Sequence, residues 1–152
     1  PHLNVYASQR GWEVIANPKA INTFNQFSLL TANKRSESVE GLTARDWMWR
    51  DDVKGISLSD GEKIDLGGLE MEIFATPGHS SCSISAYVPA MQALFPSDAV
   101  PIPYLDKMIV AANSNFTQYQ RSLEKLVKLK VEIIGADHYG HLIGDEAAKR
   151  LI

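Results

Sequence analysis

Three stretches of the sequence share one design: a short apolar run that closes, within a few residues, on a side chain able to bind a cation. Glu72–His79 reads EIFATPGH, Ala93–Asp98 reads ALFPSD, and Val131–His138 reads VEIIGADH. Apolar runs this short suit buried strands rather than helices, particularly when Pro and Gly bound them. The fold therefore has to accommodate three strands whose C-terminal exits deliver His79, Asp98 and His138. If those strands are neighbours, the three side chains converge on one rim of a sheet.

The rest of the chain sets the class. Leu3–Ala7 reads as a short strand, and Ser8 as the N-cap of a helix over Gln9–Ala16 that Asn17-Pro18 ends. A second helical period runs from Lys19 to about Asn33 through Ile21, Phe24, Phe27 and Leu30. Residues 34–52 are polar, with Trp47, Met48 and Trp49 embedded, and read as an insertion or lid with a short helix at Thr43–Arg50. Strand patterns then follow at Ile56–Leu58, at Lys63–Leu66 and Leu69–Ala75 around Gly67-Gly68, and at Ser83–Val88 and Met91–Phe95. Residues up to Asn115 read as an irregular loop around Pro101 and Pro103. Asn115 caps an amphipathic helix over Phe116–Lys130, Val131–Gly135 is a strand, and Gly144 and Asp145 open a last helix over Glu146–Ile152. The expectation is one α/β domain spanning residues 1–152, with mixed sheets and outer helices.

Composition narrows the function classes. The 152 residues carry 15 basic and 18 acidic side chains, a net charge of -3, and no block of like charge. Nucleic acid and anionic membranes are poor partners for such a surface, and no apolar stretch is long enough to span a bilayer. The single cysteine, Cys82, rules out a disulfide within the chain and a cysteine-rich zinc site. It reads as a small buried apolar residue and fits a reducing, cytoplasmic setting. The chain enters a strand-like run almost at once, which gives the expectation that it is part of a longer protein.

Taken singly, each histidine reads as a solvated loop residue, and Asp98 suits an N-cap or turn residue as well as it suits a ligand. His2 reads as surface and Asp137 as a turn former. The repetition of one design three times favours a metal centre. Imidazole nitrogens and a carboxylate suit a borderline divalent ion such as zinc, and a carboxylate can bridge two ions.

At this point the sequence resembles the metallo-β-lactamase-fold hydrolases. TPGHSSCSISAYVP and ALFPSDAV resemble that family's TPGHS and SGDA segments, VEIIGADHYGHLIGDEA its closing strand, ligand histidine and helix, and DGEKIDLGGLEMEIFATPGH the hairpin before them. PHLNVYAS is similar to the strand that follows the family's first histidine cluster. The H-x-H-x-D-H cluster itself is absent and would lie before Pro1. Cys82 and Ser97 stand where the family often carries glycine.

The resemblance implies the C-terminal portion of an αββα sandwich. It implies two divalent ions in the complete protein, zinc first, with iron and manganese as alternatives. His79 would complete the set of the first metal, Asp98 would bridge both and act catalytically, and His138 would complete the second. His141 is the rival to His138, and His141, Ser80 and Tyr139 are the candidates for touching substrate or hydrogen-bonding a ligand. The implied activity is hydrolysis of an ester, thioester, lactone, amide or phosphoester in a small-molecule substrate by a metal-bound hydroxide. The rivals are a metal-free binding or assembly module and a di-iron redox relative. With three of the expected ligands, this chain alone is expected to be inactive and to hold metal weakly or not at all. It is also expected to associate, either as a homo-oligomer or with the missing N-terminal segment.

Overall fold

The computed structural model describes residues 4–34, 49, 55–105, 107–138, 140–145 and 147. The first strand, β1 (Tyr6–Ser8), runs straight into α1 (Gln9–Ile15). Ser8 has extended backbone and its hydroxyl accepts the Gly11 N–H, so one residue ends the strand and caps the helix. Pro18 opens α2 (Pro18–Lys34), at a position where a missing N–H removes no helix bond. Asn17 Oδ1 accepts from Lys19 N–H beside it, at 2.9 Å. The elements that follow are β2 (Ile56–Leu58), β3 (Lys63–Asp65), β4 (Glu70–Ala75), β5 (Ile84–Val88) and β6 (Ala93–Phe95). They lead to β7 (Ile102–Tyr104), β8 (Lys107–Ile109), α3 (Phe116–Leu126), β9 (Ile133–Gly135) and β10 (His141–Ile143).

Six strands form the main sheet, in the order β10-β9-β6-β5-β4-β3. β4 is antiparallel to β5 and β5 to β6, while β6 and β9 are parallel. It follows that β4, β6 and β9 all run the same way and leave the sheet at one rim. β5 stands between β4 and β6, so the three exits are not all adjacent as strands. β1 pairs parallel with β2, Tyr6 opposite Ile56, and β7 pairs with β8 as a two-stranded ribbon.

The core lies between the main sheet and α3. Tyr87, Leu94 and Ile134 from the sheet meet Leu126 from the helix, with Ala99, Val100, Val131 and Ala147 closing the ends. Asn115 caps α3 by accepting the Gln118 N–H, as expected. The helix stops at Leu126 rather than Lys130, because Leu129 N–H turns back onto the Leu126 carbonyl. The Gly67-Gly68 turn is as read: both glycines have positive φ, and the Asp65 carboxylate accepts both of their N–H groups. Those two bonds hold the Asp65 carboxyl below the usual carboxylate range.

The sequence reading departs from the structure in several places. The irregular loop expected before Asn115 contains the β7–β8 ribbon, and His141 starts a strand instead of lying in a loop. Of the strand expected at Leu3–Ala7, Leu3 lies outside the described residues, Asn4 and Val5 are not in a strand, and β1 runs on to Ser8. The lid expected at 34–52 lies outside the described residues except for Lys34, which ends α2, and Trp49, whose N–H donates to Asn25 Oδ1 at 2.7 Å. Of the last helix, Asp145 and Ala147 are described and helical. Among the described residues no helix is long and apolar enough to cross a membrane.

Candidate metal centre

The loop after β4 is fixed before it reaches His79. Thr76 and Ser85 are both buried, at 0% and 1% exposure, and their hydroxyls lie 2.8 Å apart. Ser85 Oγ donates to the Pro96 carbonyl at 3.1 Å, so its one proton is committed and Thr76 must donate to Ser85. This relay links the exit of β4 to that of β6 across β5. Next, Ser122 on α3 donates to the Pro77 carbonyl at 2.8 Å. The Gly78 carbonyl accepts the N–H groups of Ser114 and Asn115, each at 3.0 Å. Gly78 itself has φ +142, and a Cβ there would lie 2.4 Å from Tyr119 Cα. Only glycine admits that approach.

His79 is held through Nδ1, which lies 2.8 Å from the Ala111 carbonyl oxygen. A carbonyl only accepts, so Nδ1 carries the hydrogen; Asn113 Nδ2 stands further off, at 3.5 Å. In the neutral imidazole Nε2 is then left with a lone pair. It points at Asp98 Oδ2, 3.4 Å away. Two acceptors face each other there, an arrangement that requires a cation or a proton between them.

Asp98 sits in a 3-10 turn over Ser97–Ala99 that follows β6. Ser97 has φ +52, a left-handed conformation that glycine adopts without cost, which gives a physical reason for glycine at this place in the resembled family. The Asp98 side chain is 15% exposed, and its Oδ1 is buried with no hydrogen-bond partner. His138, beyond β9, places Nε2 3.6 Å from that same Oδ1. Each carboxylate oxygen therefore faces a different imidazole. Among the described residues no group of three or more His, Cys, Asp or Glu could hold a single ion. Two imidazoles and a carboxylate are donor types that suit a divalent ion.

The other candidates fall elsewhere. His141 is exposed at the start of β10, opposite Gly135, with no bond to Asp98. Ser80 Oγ bonds Ser83 Oγ at 2.7 Å and Cys82 Sγ at 3.3 Å, so it braces the turn instead of touching His79. Cys82 is only partly buried and lies in that turn, not in an apolar strand position. Its carbonyl accepts the Ser8 hydroxyl at 2.8 Å, which ties β1 to the site rim. Tyr139 and His2 lie outside the described residues. Sequence reasoning missed Ser85, Ala111 and Tyr119. Ser85 could have been found as a hydroxyl on a buried strand face, whereas a backbone carbonyl leaves no trace in a sequence.

These features define a mixed α/β protein with a His–Asp–His rim suited to divalent ions. Residues 6–138 match the family model described as the metallo-beta-lactamase superfamily, and the chain belongs to that superfamily. It is 29% identical over 93 residues to the metallo-beta-lactamase fold-containing protein ST1585 of Sulfurisphaera tokodaii, an alignment covering 59% of this chain and 34% of that one. The crystal structure of ST1585 superposes with a TM-score of 0.69 at 21% identity, over 97% of this chain and 56% of that one. A metallo-beta-lactamase family protein from Thermus thermophilus follows at 0.64 and 20%, over 97% of this chain and 50% of that one. The chain thus spans about a third of the curated relative by sequence alignment and about half of these solved chains by structure.

Proposed function

We propose that the chain carries the bridging half of a two-metal hydrolase centre, with His79 and Asp98 serving one ion and Asp98 and His138 the other. The observation that supports this most is the facing pair of acceptors, His79 Nε2 and Asp98 Oδ2, with Nδ1 already committed to Ala111. Bound ions would supply a water made acidic near neutral pH and a Lewis acid for a carbonyl or phosphoryl oxygen. The protein's part is orientation. The Ala111 carbonyl fixes the His79 tautomer, and the Thr76–Ser85–Pro96 relay fixes the spacing between the His79 and Asp98 loops. Asp98 offers one oxygen to each side. Family membership supports metal-dependent hydrolysis in general. Zinc as the ion, and an ester, thioester, lactone, amide or phosphoester as the substrate, are the finer parts of the proposal.

The test is zinc titration of this chain by calorimetry, alongside His79→Ala and Asp98→Ala. Weak uptake that either substitution removes supports the reading. No uptake at millimolar zinc, or uptake indifferent to both substitutions, overturns it. The complete protein, loaded with zinc, would then be assayed on a panel of the named substrate classes.

A further inference from the structure

Tyr119 is the one large polar side chain of α3 that points into the protein. It is 1% exposed, and its hydroxyl has no hydrogen-bond partner. A buried phenol normally finds a partner, because leaving one unmade is costly. The second unpartnered atom in this neighbourhood is Asp98 Oδ1. Burial, and then the Asp98 charge, push the Tyr119 phenol up to about 12. The helix that carries Tyr119 packs directly on the turn that carries Asp98. The tyrosine backbone is pinned as well, since its N–H donates to the Asn115 carbonyl and Gly78 lies against its Cα.

We propose that Tyr119 is a positioning residue for Asp98, its hydroxyl donating towards Oδ1 through one ordered water. A water that bridges two buried polar groups satisfies both at little entropic cost. The bridge would hold the carboxylate plane so that Oδ2 faces His79 while Oδ1 stays directed at His138. The chain's α3 then has two tasks at the rim. It clamps the His79 loop from behind through Ser122 and Gly78, and it sets the aspartate's orientation through Tyr119. This inference rests on the metal-centre reading for its purpose, but the pairing itself exists with or without metal.

The experiment is a double-mutant cycle in chelator-treated protein, read as thermal midpoint. Tyr119→Phe removes the hydroxyl and keeps the ring. If the hydroxyl serves Asp98, the midpoint falls by about 2–4 °C, and the fall disappears when Asp98→Ala is already present. Asp98→Ser provides the second background should Asp98→Ala fail to fold. Zinc affinity, measured in parallel, should weaken about 10-fold in Tyr119→Phe. A midpoint that rises on losing the hydroxyl, or that moves equally in both backgrounds, overturns the pairing. If the wild-type chain takes up no zinc while the cycle still shows coupling, the pairing stands and the metal reading falls.

Discussion

Replacing Gly78 by alanine would test the clamp on His79 most directly. The added Cβ would lie 2.4 Å from Tyr119 Cα, 2.5 Å from its N and 2.6 Å from its Cβ. Two of those three atoms are backbone in a capped helix, so no side-chain rotation relieves the clash. Relief requires α3 to retreat or the Pro77-Gly78 turn to unwind. Holding a residue with a side chain at φ +142 costs about 1–3 kcal/mol, and forcing packed elements apart costs about 1–3 kcal/mol more. A loss of about 4 kcal/mol corresponds to a fall of about 8–16 °C in midpoint for a domain of this size. Circular dichroism melting would measure it. Gly67→Ala is the matched control: its φ is +83 but nothing lies within 4 Å of the added Cβ, so only the strain is felt. If Gly78→Ala melts no lower than Gly67→Ala, the close approach of α3 to the His79 loop is not what the structure depicts.

Four further outcomes are expected. Ser85→Ala strands the Thr76 hydroxyl and the Pro96 carbonyl in the interior and should cost about 1–3 kcal/mol in denaturant unfolding; an unchanged midpoint would dismiss the relay. Ser97→Gly removes left-handed strain and, after the added freedom of the unfolded chain, should raise the melting midpoint by about 2–4 °C; a drop would count against the φ of +52. Burial opposes ionisation of Asp60, but the Ala75 N–H and the Lys125 ammonium outweigh it and hold the folded carboxyl below its ordinary 3.8. Its contribution to stability is therefore complete above that value and lost as pH falls through the lower folded value, so Asp60→Asn should flatten the acid side of the stability curve, and identical acid limbs would refute this. His138→Ala should weaken zinc uptake more than His141→Ala, as calorimetric titration would show, because His138 faces Asp98 and His141 does not.

Where residue pattern and local physics coincide, the fold was legible. Ser8, Asn115 and Gly67-Gly68 sit at the ends of elements because their side chains, or the lack of one, satisfy backbone groups that nothing else there can. The short apolar runs before His79, Asp98 and His138 were readable because each carries a fully buried member, Ile73, Leu94 or Ile134. The β7 strand was not readable, because Pro103 argues against a ladder and is tolerated only in a two-stranded ribbon. β10 was equally hidden, since three residues starting with histidine carry no period of their own and are strand-like only because β9 supplies a partner. The site shows the same division. His79, Asp98 and His138 announce themselves by chemistry. Their fixings, which are the Ala111 carbonyl, the Thr76–Ser85 pair and the Tyr119 backbone against Gly78, depend on contacts between residues apart in sequence.

The common direction of β4, β6 and β9 also says where the molecule can be altered. Their entrances gather at the rim opposite the site, around Gly67-Gly68, the Pro89–Met91 turn and Glu132, whose N–H donates to the Gln92 carbonyl. Among the described residues, a Cβ added at Gly67 or Gly68 would meet nothing within 4 Å. A fluorophore, an affinity handle or new chain termini placed there would leave the histidines and the aspartate undisturbed, since exposed turn tips are where backbones tolerate being opened. The sheet thus works as a spacer between the rim that carries His79, Asp98 and His138 and the rim that carries this turn.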